Sequence, residues 1–231
     1  MSAIRHLSLR EEIIKTSLEM NARGINQGTS GNVSARVEGG FLITPSGVPY
    51  DELGPGDIVE MAWDAGYVGR RPSSEWRFHR DILKNRPDVD AIVHTHSCFA
   101  TTLAIHQVEI PASHYMVGVA GGATIRCAKY ATFGTQELSD NALKALEDRL
   151  ACLLAHHGVI ALGKTLGKAL WLAVEVETLA KMYIHAHALG KPPVLPDEEM
   201  QRVIEQMRRM SYGQAPDLGS VGDTPRPRAA N

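Results

Sequence analysis

Cysteine is scarce: among 231 residues only Cys98, Cys127 and Cys152 carry thiols. An odd number at wide spacing builds neither a disulfide framework nor a C-x-x-C metal knuckle, so all three are expected as buried or free thiols. An excess of either charge is missing too. With 24 basic against 26 acidic residues and a net charge of −2, no sustained field exists for nucleic acid or an anionic membrane, and any phosphate bound is a small one. The stretch from Met1 to Lys15 lacks the uninterrupted apolar run of a signal peptide or membrane span, from which a soluble, cytoplasmic protein is expected. No internal repeat is apparent. What is present is a hydrophobic fraction of 44%, enough for one sizeable core. A single domain over residues 1–212 is expected, followed by a tail over 213–231. That tail carries Pro216, Pro225, Pro227 and three glycines and is expected to lack a fixed fold.

Local signals order the chain. Ser8 and Glu11 are spaced as a capping box and Gly24 supplies a stop, predicting a helix from about Leu9 to Arg23. Asn32–Val37 and Gly40–Thr44 read as paired strands, and Ile58–Met61 as another. Glu75–Asn85 has a helical pattern that ends before Pro87, and Ala91-Ile92-Val93-His94 leans to strand. Ser139 is expected to cap a helix whose Leu143, Leu146 and Leu150 share a face, and one strand is expected over Cys152–Leu162. Leu166–Leu189, closed by Gly190, and Asp197–Met210 complete the helices. Several strands are joined too closely for crossover helices, which implies an α/β protein with a largely antiparallel or mixed sheet covered by helices.

His94-Thr95-His96 follows an apolar strand pattern. Strand residues two apart face the same way, so both imidazoles can converge on one ion. His185-Ala186-His187 has the same spacing on a helix, where two residues turn about 200°, and is discounted. Catalytic zinc usually keeps three protein ligands and one open position. His156 and His157 are the candidates for the third, and alternation lets only one of them join. His6, His79, His106 and His114 stand alone.

Ser73-Ser74-Glu75 opens a helix, where free N–H groups and two hydroxyls suit a phosphate monoester. Plain capping is the ordinary alternative, although Glu75 follows the serines too closely for a capping box. Gly28-Thr29-Ser30-Gly31-Asn32 and Ser46-Gly47 are turns that present further donors. Neither is a P-loop, because the lysine is absent.

Taken together, Gly31-Asn32-Val33-Ser34, Ile43-Thr44-Pro45-Ser46-Gly47, Ser73-Ser74-Glu75-Trp76-Arg77-Phe78-His79, His94-Thr95-His96, His114-Tyr115-Met116 and His156-His157-Gly158 resemble, in order, the motifs of the class II aldolase/adducin family, and in particular its bacterial L-fuculose-1-phosphate aldolases. The likeness runs from the first helix to about Tyr212. It implies a three-layer α/β/α domain with a central, mostly antiparallel sheet. It implies one Zn2+ per subunit held by His94, His96 and His157, with Glu75 as the metal-adjacent acid/base or a fourth ligand. It also implies phosphate binding by Asn32, Ser46, Gly47, Ser73 and Ser74, aldehyde-side roles for Tyr115 and Tyr212, and a homotetramer with sites between subunits. The implied reaction is cleavage of a ketose 1-phosphate to dihydroxyacetone phosphate and a small aldehyde. The ketose would be L-fuculose 1-phosphate or a 5-deoxy- or 5-methylthio-ribulose 1-phosphate. The tail after Tyr212 does not align with the family.

Within the family the rival activities are ribulose-phosphate 4-epimerisation, whose pattern has Ser-Ser-Asp where this chain has Ser73-Ser74-Glu75, and dehydration of methylthioribulose 1-phosphate. A non-enzymatic, adducin-like interaction module is the alternative of another class, and the joint presence of Glu75, His94, His96 and His157 argues against it.

Overall fold

The computed structural model of the chain describes residues 4–210 and residue 212; the expected tail over 213–231 lies outside them. Helix α1 (Leu7–Ala22) leads into the hairpin β1 (Asn32–Val37) and β2 (Gly40–Ile43), then β3 (Val59–Ala62) and β4 (Tyr67–Val68). Next come α2 (Trp76–Asn85), β5 (Ala91–Thr95), α3 (Cys98–Ile105), the short β6 (Ile110–Pro111), β7 (Thr124–Ile125) and β8 (Cys127–Ala128), and α4 (Gln136–Ala145). The hairpin β9 (Ala151–Leu154) and β10 (Gly158–Gly163) and the helices α5 (Leu166–His187) and α6 (Asp197–Arg209) complete the order.

One eight-stranded sheet runs β4-β3-β2-β1-β5-β10-β9-β8. Every pairing is antiparallel except β8 with β9. The central strands are buried on both faces, which is why β5 reads as a continuous apolar run rather than an alternating one. One face, carrying Val33, Val93 and Val159, packs on a core shared with α1, α3 and α5. The other, carrying Ile92, Ile160 and Cys152, packs on Phe78 and Ile82 of α2 and Leu138 and Ala142 of α4. Burying Phe78 or Ile82 stabilises the fold by roughly 1.5–3 kcal/mol each. The α/β class, the largely antiparallel sheet and its helical cover are as expected.

Several boundaries differ. The first helix begins ahead of Ser8: the Arg10 N–H already bonds the His6 carbonyl, and the His6 cap position has no side-chain bond. The helix expected from Ser139 starts at Gln136, because the Thr135 hydroxyl accepts the Leu138 N–H and takes the cap. Ser139 is therefore inside α4, donating to Asp81, and Leu150 lies beyond the helix. The single strand expected over Cys152–Leu162 is two strands around a turn at Ala155-His156-His157. Helix α3 and the short strands β4, β6, β7 and β8 lie outside the expected elements. All three thiols are free, with Cys152 buried and Cys98 exposed. Among the described residues no helix is long and apolar enough to cross a membrane.

Candidate metal centre and its anion-facing loops

His94 and His96 come from the end of β5, His157 from the β9–β10 turn and Glu75 from the residue just before α2. One ligand atom from each lies within 4.8 Å of every other. The three imidazoles form a near-equilateral triangle, with ring centroids 4.9 Å apart for all three pairs and planes inclined at 76–81°. Such a propeller points three nitrogens at one centre.

Strand alternation aims His94 and His96 alike, but the choice between His156 and His157 is made by the turn. His156 adopts φ 56°, a left-handed conformation, and its ring meets Gln107 and the edge of Tyr130. His157 then swings into the cluster, 3.0 Å from Glu75 Oε1. Two close backbone approaches require glycine. A Cβ on Gly158 would come within 2.3 Å of the Thr95 carbonyl, and one on Gly31 within 2.5 Å of the His94 carbonyl. The discounted helical pair does diverge, His185 facing Phe99 and His187 facing Tyr183.

The donor set fits zinc. His94 Nδ1 donates to the Val159 carbonyl, leaving Nε2 with its lone pair toward the cluster. His96 is pushed down to about 3 by burial and by the charges of His94 and His157, so it is a neutral donor. Burial by itself would raise Glu75. The interactions with His94 first and His157 second outweigh it, holding this carboxyl well below the usual range and ionised. Glu75 Oε1 has no hydrogen bond of acceptable geometry although it is buried and 3.0 Å from His157 Nε2. An orphaned carboxylate oxygen beside a ring nitrogen at contact distance suits two ligands aimed at a shared cation.

The candidate anion loops adjoin. Ser46 N–H bonds the Arg71 carbonyl, Ser73 N–H bonds the Thr44 carbonyl, and Pro45 bridges Pro72. This puts the exposed Ser46-Gly47 turn alongside Ser73-Ser74. The Ser73 hydroxyl accepts the Glu75 N–H just ahead of α2, whereas Ser74 is half-buried with its hydroxyl uncommitted. Asn32 is buried and donates from Nδ2 to Glu75 Oε2 at 2.9 Å.

Tyr115 and Tyr212 are not part of this cluster. Both are half-exposed and line a separate cavity of about 490 Å³ with α6 residues such as Arg202 and Met207. Tyr115 and burial hold the Tyr212 phenol above its ordinary value, the neighbouring phenol being the larger cause.

Unforeseen in the sequence was His79. It is wholly buried, with Nδ1 2.7 Å from the Ser34 hydroxyl and Nε2 2.5 Å from Asn32 Oδ1. Burial and the charge at His94 push it down to about 3, against the opposing pull of Glu75, so it is neutral. Its signal was available: Asn32 and Ser34 stand two apart on a strand, and Glu75 and His79 four apart at a helix start.

The chain is similar to proteins of one family. The family described as Class II Aldolase and Adducin N-terminal domain matches residues 11–184. A 5-methylthioribulose-1-phosphate/5-deoxyribulose-1-phosphate aldolase from Rhodospirillum rubrum is 51% identical over 93% of this chain and 96% of its own length. An L-fuculose phosphate aldolase from Escherichia coli is 50% identical over 89% of this chain and 95% of its own. Among solved structures, an L-fuculose 1-phosphate aldolase superposes with a TM-score of 0.86 at 42% identity, over 90% of this chain and all of that one.

Proposed function

The chain belongs to the class II aldolase and adducin family, and from that premise we propose that it is a zinc-dependent aldolase cleaving a ketose 1-phosphate between C3 and C4. The products are dihydroxyacetone phosphate and a small aldehyde. The observation that carries this reading is the convergence of Glu75, His94, His96 and His157 on one point beside two loops rich in anion donors. The two relatives differ in the aldehyde half of their substrates at nearly equal identity. The half they share is therefore the one assigned here.

Bound by His94, His96 and His157, zinc supplies Lewis-acid stabilisation of the negative charge that develops on substrate oxygens as the bond breaks. Ser74, Ser73 and the Ser46-Gly47 turn hold the phosphate and so fix C3 beside Glu75. The second N–H of Asn32 is assigned to the same anion. Glu75 delivers the proton that turns C3 into the hydroxymethyl carbon of dihydroxyacetone phosphate, and takes one from it in the reverse direction. Its burial excludes the water that would otherwise compete for that proton.

The C4 hydroxyl loses its proton as the aldehyde forms, and Tyr115 and Tyr212 are assigned to that end. Because they line a cavity apart from their own chain's metal cluster, the reading supplies them from an adjoining copy in a homotetramer. The protein is assigned to the cytoplasm, where phosphorylated sugars are found. A panel of ketose 1-phosphates offered to the purified, metal-loaded protein tests all this, with dihydroxyacetone phosphate release as the readout. Release from none of the panel at full zinc content would overturn it.

A further inference from the structure

Behind Glu75 runs a buried polar chain in a layer that is otherwise apolar. Asn32 and Ser34 project from β1 on the face covered by α2, and His79 stands one helical turn beyond Glu75 on α2. We propose that His79 and Ser34 are positioning residues which, acting through Asn32, fix the orientation of the Glu75 carboxylate. The proposal rests on the aldolase reading in one respect, that Glu75 is the proton carrier.

The direction of every bond follows from chemistry. An ionised carboxylate only accepts, so the group that Asn32 turns to Glu75 Oε2 is its NH2, at 2.9 Å. That leaves Asn32 Oδ1 facing His79 Nε2 at 2.5 Å, and an amide oxygen also only accepts. His79 must therefore carry its proton on Nε2. A neutral ring then has a bare Nδ1, which accepts the Ser34 hydroxyl at 2.7 Å. The chain reads Ser34 to His79 to Asn32 to Glu75, each member donating to the next, and burial makes every alternative arrangement costly.

The consequence lies at Asn32. The Asn32 amide is held at both ends, its NH2 by the Glu75 carboxylate and its oxygen by the Nε2–H of His79. Without the His79 donor that oxygen is left buried and unpaired, the amide keeps one anchor of two, and the carboxylate it holds is free to shift from its working position. His94 does not depend on the chain, since its ring is oriented by the Val159 carbonyl, and none of the chain's bonds reaches His96 or His157. Loss of His79 should therefore damage proton transfer while sparing zinc and substrate binding.

The test uses the zinc-loaded enzyme and four variants: Glu75→Gln, His79→Phe, His79→Gln and Ser34→Ala. Three quantities are read: zinc per chain, kcat and KM for ketose 1-phosphate cleavage, and uptake of deuterium from D2O into dihydroxyacetone phosphate alone. His79→Phe keeps the shape and loses the donor. It is expected to retain zinc and KM while kcat and deuterium uptake fall about 10- to 100-fold, as is usual when a group orienting a functional residue from behind is removed. His79→Gln keeps a donor and an acceptor and is expected to recover most of that loss, a rescue that a purely space-filling role would not show. Wild-type uptake in His79→Phe, or equal impairment in His79→Gln, overturns the proposal. Should His79→Phe fail to fold, Ser34→Ala decides the matter, because it removes only the outer donor, and an unchanged kcat there is equally fatal. A wild-type enzyme with neither cleavage nor uptake would instead sink the aldolase reading. An active wild type slowed by Glu75→Gln but not by His79→Phe would sink the positioning proposal alone.

Discussion

Asn32 and His94 face each other in register across β1 and β5, and their side chains approach the same oxygen of Glu75, Oε2, at 2.9 and 3.1 Å. One end of the carboxylate is thus occupied from the sheet. Oε1 is the oxygen left without a hydrogen bond.

Glu75→Gln should accordingly harm chemistry more than binding. The amide is nearly isosteric but cannot accept and return a proton, so kcat should fall about 10²–10⁴-fold. Deuterium uptake into dihydroxyacetone phosphate should slow with it. Uptake at the wild-type rate beside a collapsed cleavage rate would reassign Glu75 to metal ligation or the aldehyde end.

His157→Ala should lose most of the metal, and His156→Ala should largely keep it at about one zinc per chain. The left-handed backbone at His156 adds roughly 1–2 kcal/mol of strain for any residue with a Cβ, so His156→Gly should be neutral or slightly stabilising. Elemental analysis and thermal unfolding of the three proteins check this. Metal lost with His156 but kept without His157 would reverse the assignment.

Ser74→Ala should raise KM for the phosphorylated ketose while leaving zinc content and Tm unchanged. Ser73→Ala removes in addition the acceptor for the Glu75 N–H, and about 1 kcal/mol of stability should go with it. An unaltered KM in the double variant would leave Ser73 only as the acceptor for the Glu75 N–H and Ser74 without a role.

Tyr115→Phe should depress cleavage while sparing deuterium uptake into dihydroxyacetone phosphate, because the proton assigned to it under the proposed function belongs to the aldehyde half. Parallel loss of both activities would move Tyr115 to the other end of the substrate.

Asp81 ties α2 to α4 through Gln136 and Ser139. Burial raises its carboxyl, but the hydrogen bonds from Arg80, Gln136 and Ser139 prevail and lower it from 3.8. A carboxyl depressed on folding stabilises the native state above its unfolded value and loses that contribution as pH falls through the folded one. The stability of the wild type should therefore drop below about pH 4 more steeply than that of Asp81→Asn, which should be less stable at neutral pH. Urea titrations from pH 2.5 to 7 measure both, and coincident slopes would remove Asp81 from the account.

Much of this architecture was legible because the signals were local. Asn32–Val37 is bounded as expected, Leu166 opens the longest helix, and the spacing of His94 and His96 sufficed once they lay on a strand. What escaped depended on contacts distant in sequence or on unusual backbone. The turn at His156-His157 hides inside an apolar run, since a left-handed histidine leaves no compositional mark. Ser139 looked like a cap and is instead a buried hydroxyl serving Asp81, a partner from another helix. His79 seemed isolated because its partners, Asn32 and Ser34, lie on a strand far earlier in the chain.

The central pairing of β1 with β5 has a kinetic corollary. Asn32 and His94 are about sixty residues apart, so the chain must close a long loop before this ladder exists, and such contacts form slowly. His157 arrives only when β10 has paired with β5 from the other side. A half-folded chain in which β5 lacks β10 therefore holds only two of these histidines side by side, and two ligands hold zinc weakly. Capture of the ion reports completion of the topology, and free zinc stabilises the finished fold by mass action without guiding its assembly.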